Sequence, residues 1–209
     1  MKKIMFNDDF LLTTATIRGA KTNTRRDELT KEEQKKFAEY ERVGLKPCIR
    51  HNCIILENDM GFIVFSKPTR YKVGEAVAVA MSYRDAGVRF LLEEDDEFGG
   101  HSFPAEQTKG WNNKMFVKAE YMPERIFITQ SRIERLQDIS DEDCIKEGVL
   151  CSDKYAMPFG IPERKAPNRV FFYYHTPREA FADLIDRVSG GGTWERNPYV
   201  VVYDYKLLK

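Results

Sequence analysis

The sequence predicts one α+β domain, and three observations carry that expectation. Apolar runs of strand length stand at Ala76-Val77-Ala78-Val79-Ala80, at 125–135 and at Tyr199-Val200-Val201-Val202-Tyr203-Asp204-Tyr205. Three helical segments, 28–44, 140–147 and 176–189, carry their own capping residues. The chain has 209 residues, 42% of them apolar and 12% aromatic, which suits one core with sizeable insertions.

Residues 3–6 read as a short strand. Asn7 or Asp8 can cap a helix running to about Arg18, and Gly19 stops it. Thr30 with Glu33 makes a capping box for the helix over 28–44, and Gly44 ends it. Its Lys31–Lys36 stretch is a solvated face. Cys53–Leu56 and Phe62–Phe65 flank the turn cluster Asn58-Asp59-Met60-Gly61, a β-hairpin pattern over 52–66. Val73-Gly74-Glu75 leads into the strand at 76–80. Residues 84–116 are irregular, and Glu93–Glu97 is an acidic run expected in a solvated loop. Residues 115–121 and 125–135 read as strands broken at Met122-Pro123. Ser140 caps the next helix, Asp143 completes a capping box, Ile139 can staple to Cys144, and Gly148 ends it. Residues 150–169 form a loop, and Val170–Tyr174 is either a strand or an aromatic plug. Thr176-Pro177-Arg178-Glu179 opens the last long helix, with proline at its first position. Its apolar stripe is Ala180, Phe181, Leu184, Ile185 and Val188.

Lys+Arg and Asp+Glu number 33 each, so the formal net charge is zero. General polyanion binders are usually basic, which confines any nucleic-acid contact here to a local patch or a nucleoside pocket. Only Ile4, Met5 and Phe6 separate Lys2-Lys3 from Asn7-Asp8-Asp9, so no signal peptide is expected. No apolar run approaches the roughly 20 residues of a membrane span. Cys48, Cys53, Cys144 and Cys151 form no dense framework, which points to free thiols in a reducing cytoplasm. Cys48-x-x-His51-x-Cys53 offers three zinc ligands where a structural site wants four, and Cys53 reads equally as a core residue. No P-loop, dinucleotide fingerprint or Ser-His-Asp set is present, and no cofactor is expected. Tyr83, Trp111, Tyr121 and Trp194 are either core residues or stacking platforms for a base.

Gly19-Ala20-Lys21-Thr22-Asn23-Thr24-Arg25-Arg26 is the densest chemical stretch. A left-handed glycine would end the helix and leave the following amides exposed in a tight loop, where they could stabilise an oxyanion. Lys21 beside hydroxyls is a possible base-plus-nucleophile pair. Lys21, Arg25 and Arg26 together make a small anion-attracting site; the two arginines are either solvated surface cations or, with Lys21, phosphate contacts. Glu147 falls in the last turn of its helix, where the dipole disfavours a carboxylate. A residue that breaks a local rule is a candidate for function.

The string G-x-K-x-x-T-x-R at Gly19–Arg26 resembles the signature of the ASCH domain, a member of the PUA-like superfamily. With the pattern over Leu136–Val149 and Trp194…Asn197-Pro198, it is similar to the longer ASCH-type proteins of phages and prophages. Val73-Gly74-Glu75 resembles the glycine and acidic residue that enter a barrel strand in PUA-like folds. The resemblance covers residues 1–26, 71–82, 117–149 and 176–209. It implies a partly open β-barrel with flanking helices and surface insertions near 27–70, 83–116 and 150–175.

ASCH domains include the N4-acetylcytidine amidohydrolases, small bacterial enzymes that use a threonine, a lysine and a glutamate. The resemblance places these roles on Thr24 as nucleophile, Lys21 as base and Glu147 as its partner. The glutamate follows from the lead-in Leu136-Gln137-Asp138-Ile139-Ser140. Lys21 and Glu147 read equally as a plain ion pair tying loop to helix. Other PUA-like domains bind RNA, and some ASCH proteins are ribonucleases. The implied partners are therefore a modified nucleoside or single-stranded RNA, with a protein partner possible through the insertions. The pocket is expected between the Gly19–Arg26 loop, the strand after Gly74 and the helix ending at Glu147.

Overall fold

The computed structural model describes residues 1–93, 101–165 and 171–208. Most of the acidic run, with Pro167 and Val170, lies outside the described residues. In chain order, β1 (Lys3–Ile4) is followed by α1 (Leu12–Ile17), β2 (Asn23–Arg26) and α2 (Lys31–Arg42). Three short strands follow: β3 (Cys48–Arg50), β4 (Cys53–Glu57) and β5 (Ile63–Pro68). Next come β6 (Ala76–Val79), β7 (Phe90–Glu93), β8 (His101–Pro104) and the long β9 (Arg125–Arg135). The remainder is α3 (Asp141–Lys146), β10 (Leu150–Cys151), β11 (Phe159–Ile161), β12 (Phe171–Tyr174), α4 (Pro177–Ser189), α5 (Thr193–Arg196) and β13 (Tyr199–Leu208).

The architecture is α+β. Five strands in the order β1-β6-β9-β13-β2 make the main sheet, with β1 parallel to β6 and the other pairs antiparallel. β9 and β13 are its spine, paired from Tyr199 opposite Arg135 to Leu208 opposite Arg125. Strands sit about 4.8 Å apart, so in a flat sheet the two edges would be nearly 20 Å from each other. Instead Arg26 in β2 donates through Nη2 to the carbonyl of Met5, just past β1, at 2.7 Å. The sheet therefore curls until side chains span its edges. Among the described residues no ladder joins β1 to β2, and none of the sheets is closed into a barrel.

The insertions have their own structure. Residues 27–70 hold α2 and the antiparallel sheet β3-β4-β5. His51 and Asn52, at φ 50 and 60, make the tight turn between β3 and β4. Two positive φ values in a row are what a two-residue hairpin loop needs. The hairpin expected over 52–66 is thus the second half of a three-stranded sheet. The third insertion builds the sheet β10-β11-β12, so Phe171–Tyr174 is a strand and the expected long loop is shorter. The second insertion carries the antiparallel pair β7–β8, and its Tyr83, Leu91 and Ala105 pack with Ala78, Ala80, Val117 and Met122 into a small second core.

Three local readings change. α1 starts at Leu12, capped by Leu11 at φ 52, and the Asp8 side chain accepts from the Thr13 hydroxyl rather than capping. The strand expected over 115–121 is two tight 3-10 turns, Lys114–Phe116 and Ala119–Tyr121. Asn113 caps the first of them, and Lys3 Nζ straps the carbonyls of Met115 and Val117 to the end of β1 at 2.7 Å each. At α3, Ser140 accepts from Asp143 N, but Asp143 does not return the bond, because its carboxylate is spent on cations. The boxes at Thr30/Glu33 and Thr176/Glu179 are both complete. Among the described residues, no helix is long and apolar enough to cross a membrane.

Candidate functional site

The Gly19–Arg26 stretch is half turn and half strand. Gly19 ends α1 at φ +73 with open space around it, as a left-handed stop requires. From Asn23 the chain enters the main sheet, Asn23 opposite Asp204 through Arg26 opposite Val201. The expected exposed amides are absent. The N–H groups of Gly19, Ala20 and Lys21 donate to Thr16 and Ala15 carbonyls, and that of Thr22 donates to Lys146. This turn has no free donor for an oxyanion.

Lys21 and Glu147 meet. They are 126 residues apart in sequence, and their side chains are 1% and 8% exposed. Lys21 Nζ donates to Glu147 Oε2, to the Glu147 carbonyl at 2.9 Å and to the Asn23 carbonyl at 2.8 Å. All three ammonium protons are used. Burial lowers the Lys21 pKa, Glu147 works against that, and Arg26 and Arg25 add to the lowering, leaving it below its ordinary value. This answers why Glu147 sits at the unfavourable end of α3: two cations, Lys21 and Arg25, meet it there. Gly148 permits the approach. A Cβ at that position, with φ +111, would lie 2.8 Å from Leu12 Cδ2 and 3.9 Å from Lys21 Cδ.

Arg25 is not a surface cation. Its side chain is 1% exposed and contacts Glu134 at 2.7 Å and Asp143 and Glu147 at 3.2 Å each. Burial alone would lower its pKa, but Glu147 and Glu134 outweigh that and raise it. Arg132 extends the network to Asp143, to Glu134 at 3.0 Å and to Asp204 at 2.6 Å. Alternating charges thus run from the buried Lys21 to Arg132, and only the far end of the chain, Arg132 with Asp143 and Asp204, lines an open polar depression of about 500 Å³, together with Gln130 and Lys146. Arg26 is half-buried, bonded to the Met5 carbonyl and 5.5 Å from the Phe6 ring.

Thr24 is 4% exposed and makes no side-chain hydrogen bond among the described residues. It shares a cavity of about 80 Å³ with Lys21, Arg26, Glu147 and, from α4, Phe181 and Leu184. The third wall is therefore α4, and not the strand after Gly74 as expected. That volume holds two or three waters at about 30 Å³ each, well below the roughly 300 Å³ at which ligand pockets begin. A nucleobase enters only if the α4 side chains move. A wider groove of about 780 Å³ runs between α2 and α4–α5, with Lys31, Lys35, Arg135 and Arg196 above Leu29 and Val200.

Sequence reasoning missed Asn23. It is fully buried, and both polar atoms of its amide lack a partner, a rare and costly state. A lone asparagine among hydroxyls and cations gave no signal. Of the aromatic candidates, Tyr83 packs edge-on against Tyr121, and Trp194 packs against Phe181, as core residues do. Among the described residues no three or more His, Cys, Asp or Glu come together to hold a metal, and Cys48 and Cys53 stand opposite Ile55 and Arg50 in the β3–β4 hairpin. No family model, no curated protein and no solved structure matches this chain.

Proposed function

We propose that the protein is a PUA-like, ASCH-type amidohydrolase that removes an acyl group from a modified nucleobase such as N4-acetylcytosine. The observation that supports this reading is the convergence of Lys21, Thr24 and Glu147, from two distant segments, on one small cavity. Keeping a buried ion pair is costly, since an apolar pair of similar volume is often as stable or more so.

In this reading Lys21 first gives a proton to Glu147, a step that burial of the lysine favours. The neutral amine then takes the Thr24 hydroxyl proton while Thr24 Oγ1 attacks the acyl carbon. The C–N bond breaks, and Lys21 returns the proton to the departing amino group. Water hydrolyses the acyl-threonine ester, which releases the carboxylic acid and restores the hydroxyl. The test is hydrolysis of N4-acetylcytidine by the purified chain. Turnover lost in Thr24→Ala and Lys21→Ala but kept in Thr24→Ser supports the assignment. Full activity in Thr24→Ala refutes it.

A second reading is a non-catalytic RNA- or nucleotide-binding module in the cytoplasm. The cationic groove beside α2 favours it. It predicts salt-sensitive binding of single-stranded RNA that Lys31→Glu with Lys35→Glu removes. Binding unchanged by salt and by both reversals excludes it. A protein contact through the second insertion is supported by the exposure of Phe90, Leu92, Met115 and Phe116.

A further inference from the structure

Beside the buried cavity lies a second pocket of about 270 Å³, lined by Lys2, Lys3, Met5, Arg26, Arg70 and Tyr71. Four of these six residues are cations. Their compensation is thin. Lys2 pairs with Glu75 at 3.1 Å, whereas Lys3, Arg26 and Arg70 have no carboxylate within salt-bridge reach among the described residues. Another acid, Glu28, has its oxygens taken by the Tyr203 hydroxyl at 2.7 Å and the Arg70 N–H at 2.9 Å. Lys3 is directed at the carbonyls of Met115 and Val117. The Nε of Arg26 is buried without any partner. In a chain of zero net charge, this is a local concentration of positive charge with an unspent buried donor.

Arg26 and Met5 line both this pocket and the cavity that holds Lys21 and Thr24, so the two spaces share a wall. The pocket is somewhat below the size of a whole-ligand site, roughly 300–1,000 Å³, and suits one group of a larger ligand. Guanidinium forks and ammonium groups around a small concavity are what recognise a phosphate.

We propose that this pocket binds the phosphate of a phosphorylated nucleoside whose base occupies the neighbouring cavity. The choice of base rests on the reading above, whereas the phosphate site does not. The substrate class is then a nucleotide, or a nucleotide unit within a strand, and not the free nucleoside. Arg26 joins the two subsites, with its guanidinium between the base and the phosphate.

The test is calorimetric titration of the full chain with cytidine, cytidine 5′-monophosphate, a short oligocytidylate and inorganic phosphate. It is run at about 50 and 300 mM salt, which separates screened from enclosed charge contacts. At least one phosphorylated form is expected to bind about ten-fold more tightly than cytidine. Arg70→Ala and Lys2→Ala are expected to erase that advantage and leave the affinity for cytidine unchanged. Both side chains are exposed, so the variants should fold, and an unchanged melting temperature checks this.

A gain for the monophosphate assigns a phosphomonoester. A gain for the oligonucleotide alone assigns a strand phosphodiester. Equal affinity for cytidine and every phosphorylated form overturns the proposal. So does an advantage that survives Arg70→Ala, or inorganic phosphate binding as tightly as the nucleotide. The titration does not depend on turnover. A phosphate advantage without hydrolysis sinks the enzyme reading and keeps this one. Hydrolysis without the advantage does the reverse.

Discussion

Replacing Lys21 by methionine probes the buried pair directly. The substitution keeps the length of the side chain and removes its charge and donors. Three acceptors lose their partner: Glu147 Oε2 and the carbonyls of Glu147 and Asn23. Breaking a buried ion pair from one side costs roughly 3–5 kcal/mol. Here Arg25 Nη1 still reaches Glu147 Oε1 at 3.2 Å, so the carboxylate is not left alone. The expected loss is therefore at the lower end, about 3 kcal/mol. For a chain of this size that lowers Tm by about 6–12 °C, at 2–4 °C for each kcal/mol. Thermal unfolding followed by circular dichroism measures it. Lys21→Met combined with Glu147→Leu should cost less than the two single losses added, because each single variant strands the other's partner. A fall in Tm of less than about 2 °C for Lys21→Met would mean that Lys21 reaches water, and the description of the site would be wrong.

Two further outcomes follow from local geometry. Gly148→Ala should destabilise the chain by about 1–3 kcal/mol, from a positive φ and a Cβ pressed against Leu12; urea unfolding that matches the native chain would refute the close approach. The Tyr199 pKa is pushed up to about 12, by burial first and then by Glu41. Its folded value lies above its unfolded value of 10.0, so its stabilisation is complete below pH 10 and is lost as the pH rises through 12. Urea midpoints should fall over that window, and Tyr199→Phe should make the fall shallower by up to about 1.4 kcal/mol per pH unit. An identical slope in the variant would count against it.

How much of this was legible depended on how local each cause is. Thr30 with Glu33 and Thr176 with Glu179 lie three residues apart, and both capping boxes formed as read. Glu147 at a helix C-terminus was a visible anomaly, and its explanation proved to be Lys21 and Arg25. By contrast, Asn23-Thr24-Arg25-Arg26 carries no strand pattern. It becomes a strand because β13 supplies the ladder and Glu134, Asp143 and Glu147 absorb Arg25. Those partners are more than a hundred positions downstream, beyond any window of periodicity. Residues 115–121 failed the other way: Phe116 and Val117 look strand-like, but Lys3 and Asn113 fix the backbone into turns. The sheet β10-β11-β12 was hidden by strand brevity and by Pro158 and Gly160.

The position of β13 sets a timetable for synthesis. It lies between β9 and β2, and they have no other common neighbour in the sheet. While the ribosome is still upstream of Tyr199, residues 23–26 have no ladder to join, and Arg25 must wait among solvent-exposed carboxylates. The sheet β3-β4-β5 draws on nearby residues and can form early, whereas α2 also leans on Tyr199 through Gln34 and Phe37. The spine of the sheet closes only through contacts of very long sequence separation, which are slow to find. A nascent chain stalled before Tyr199 would expose the apolar faces of β6 and β9 and invite chaperones or aggregation. A ribosome arrest introduced there should leave the curled sheet protease-sensitive, and release past Leu208 should protect it.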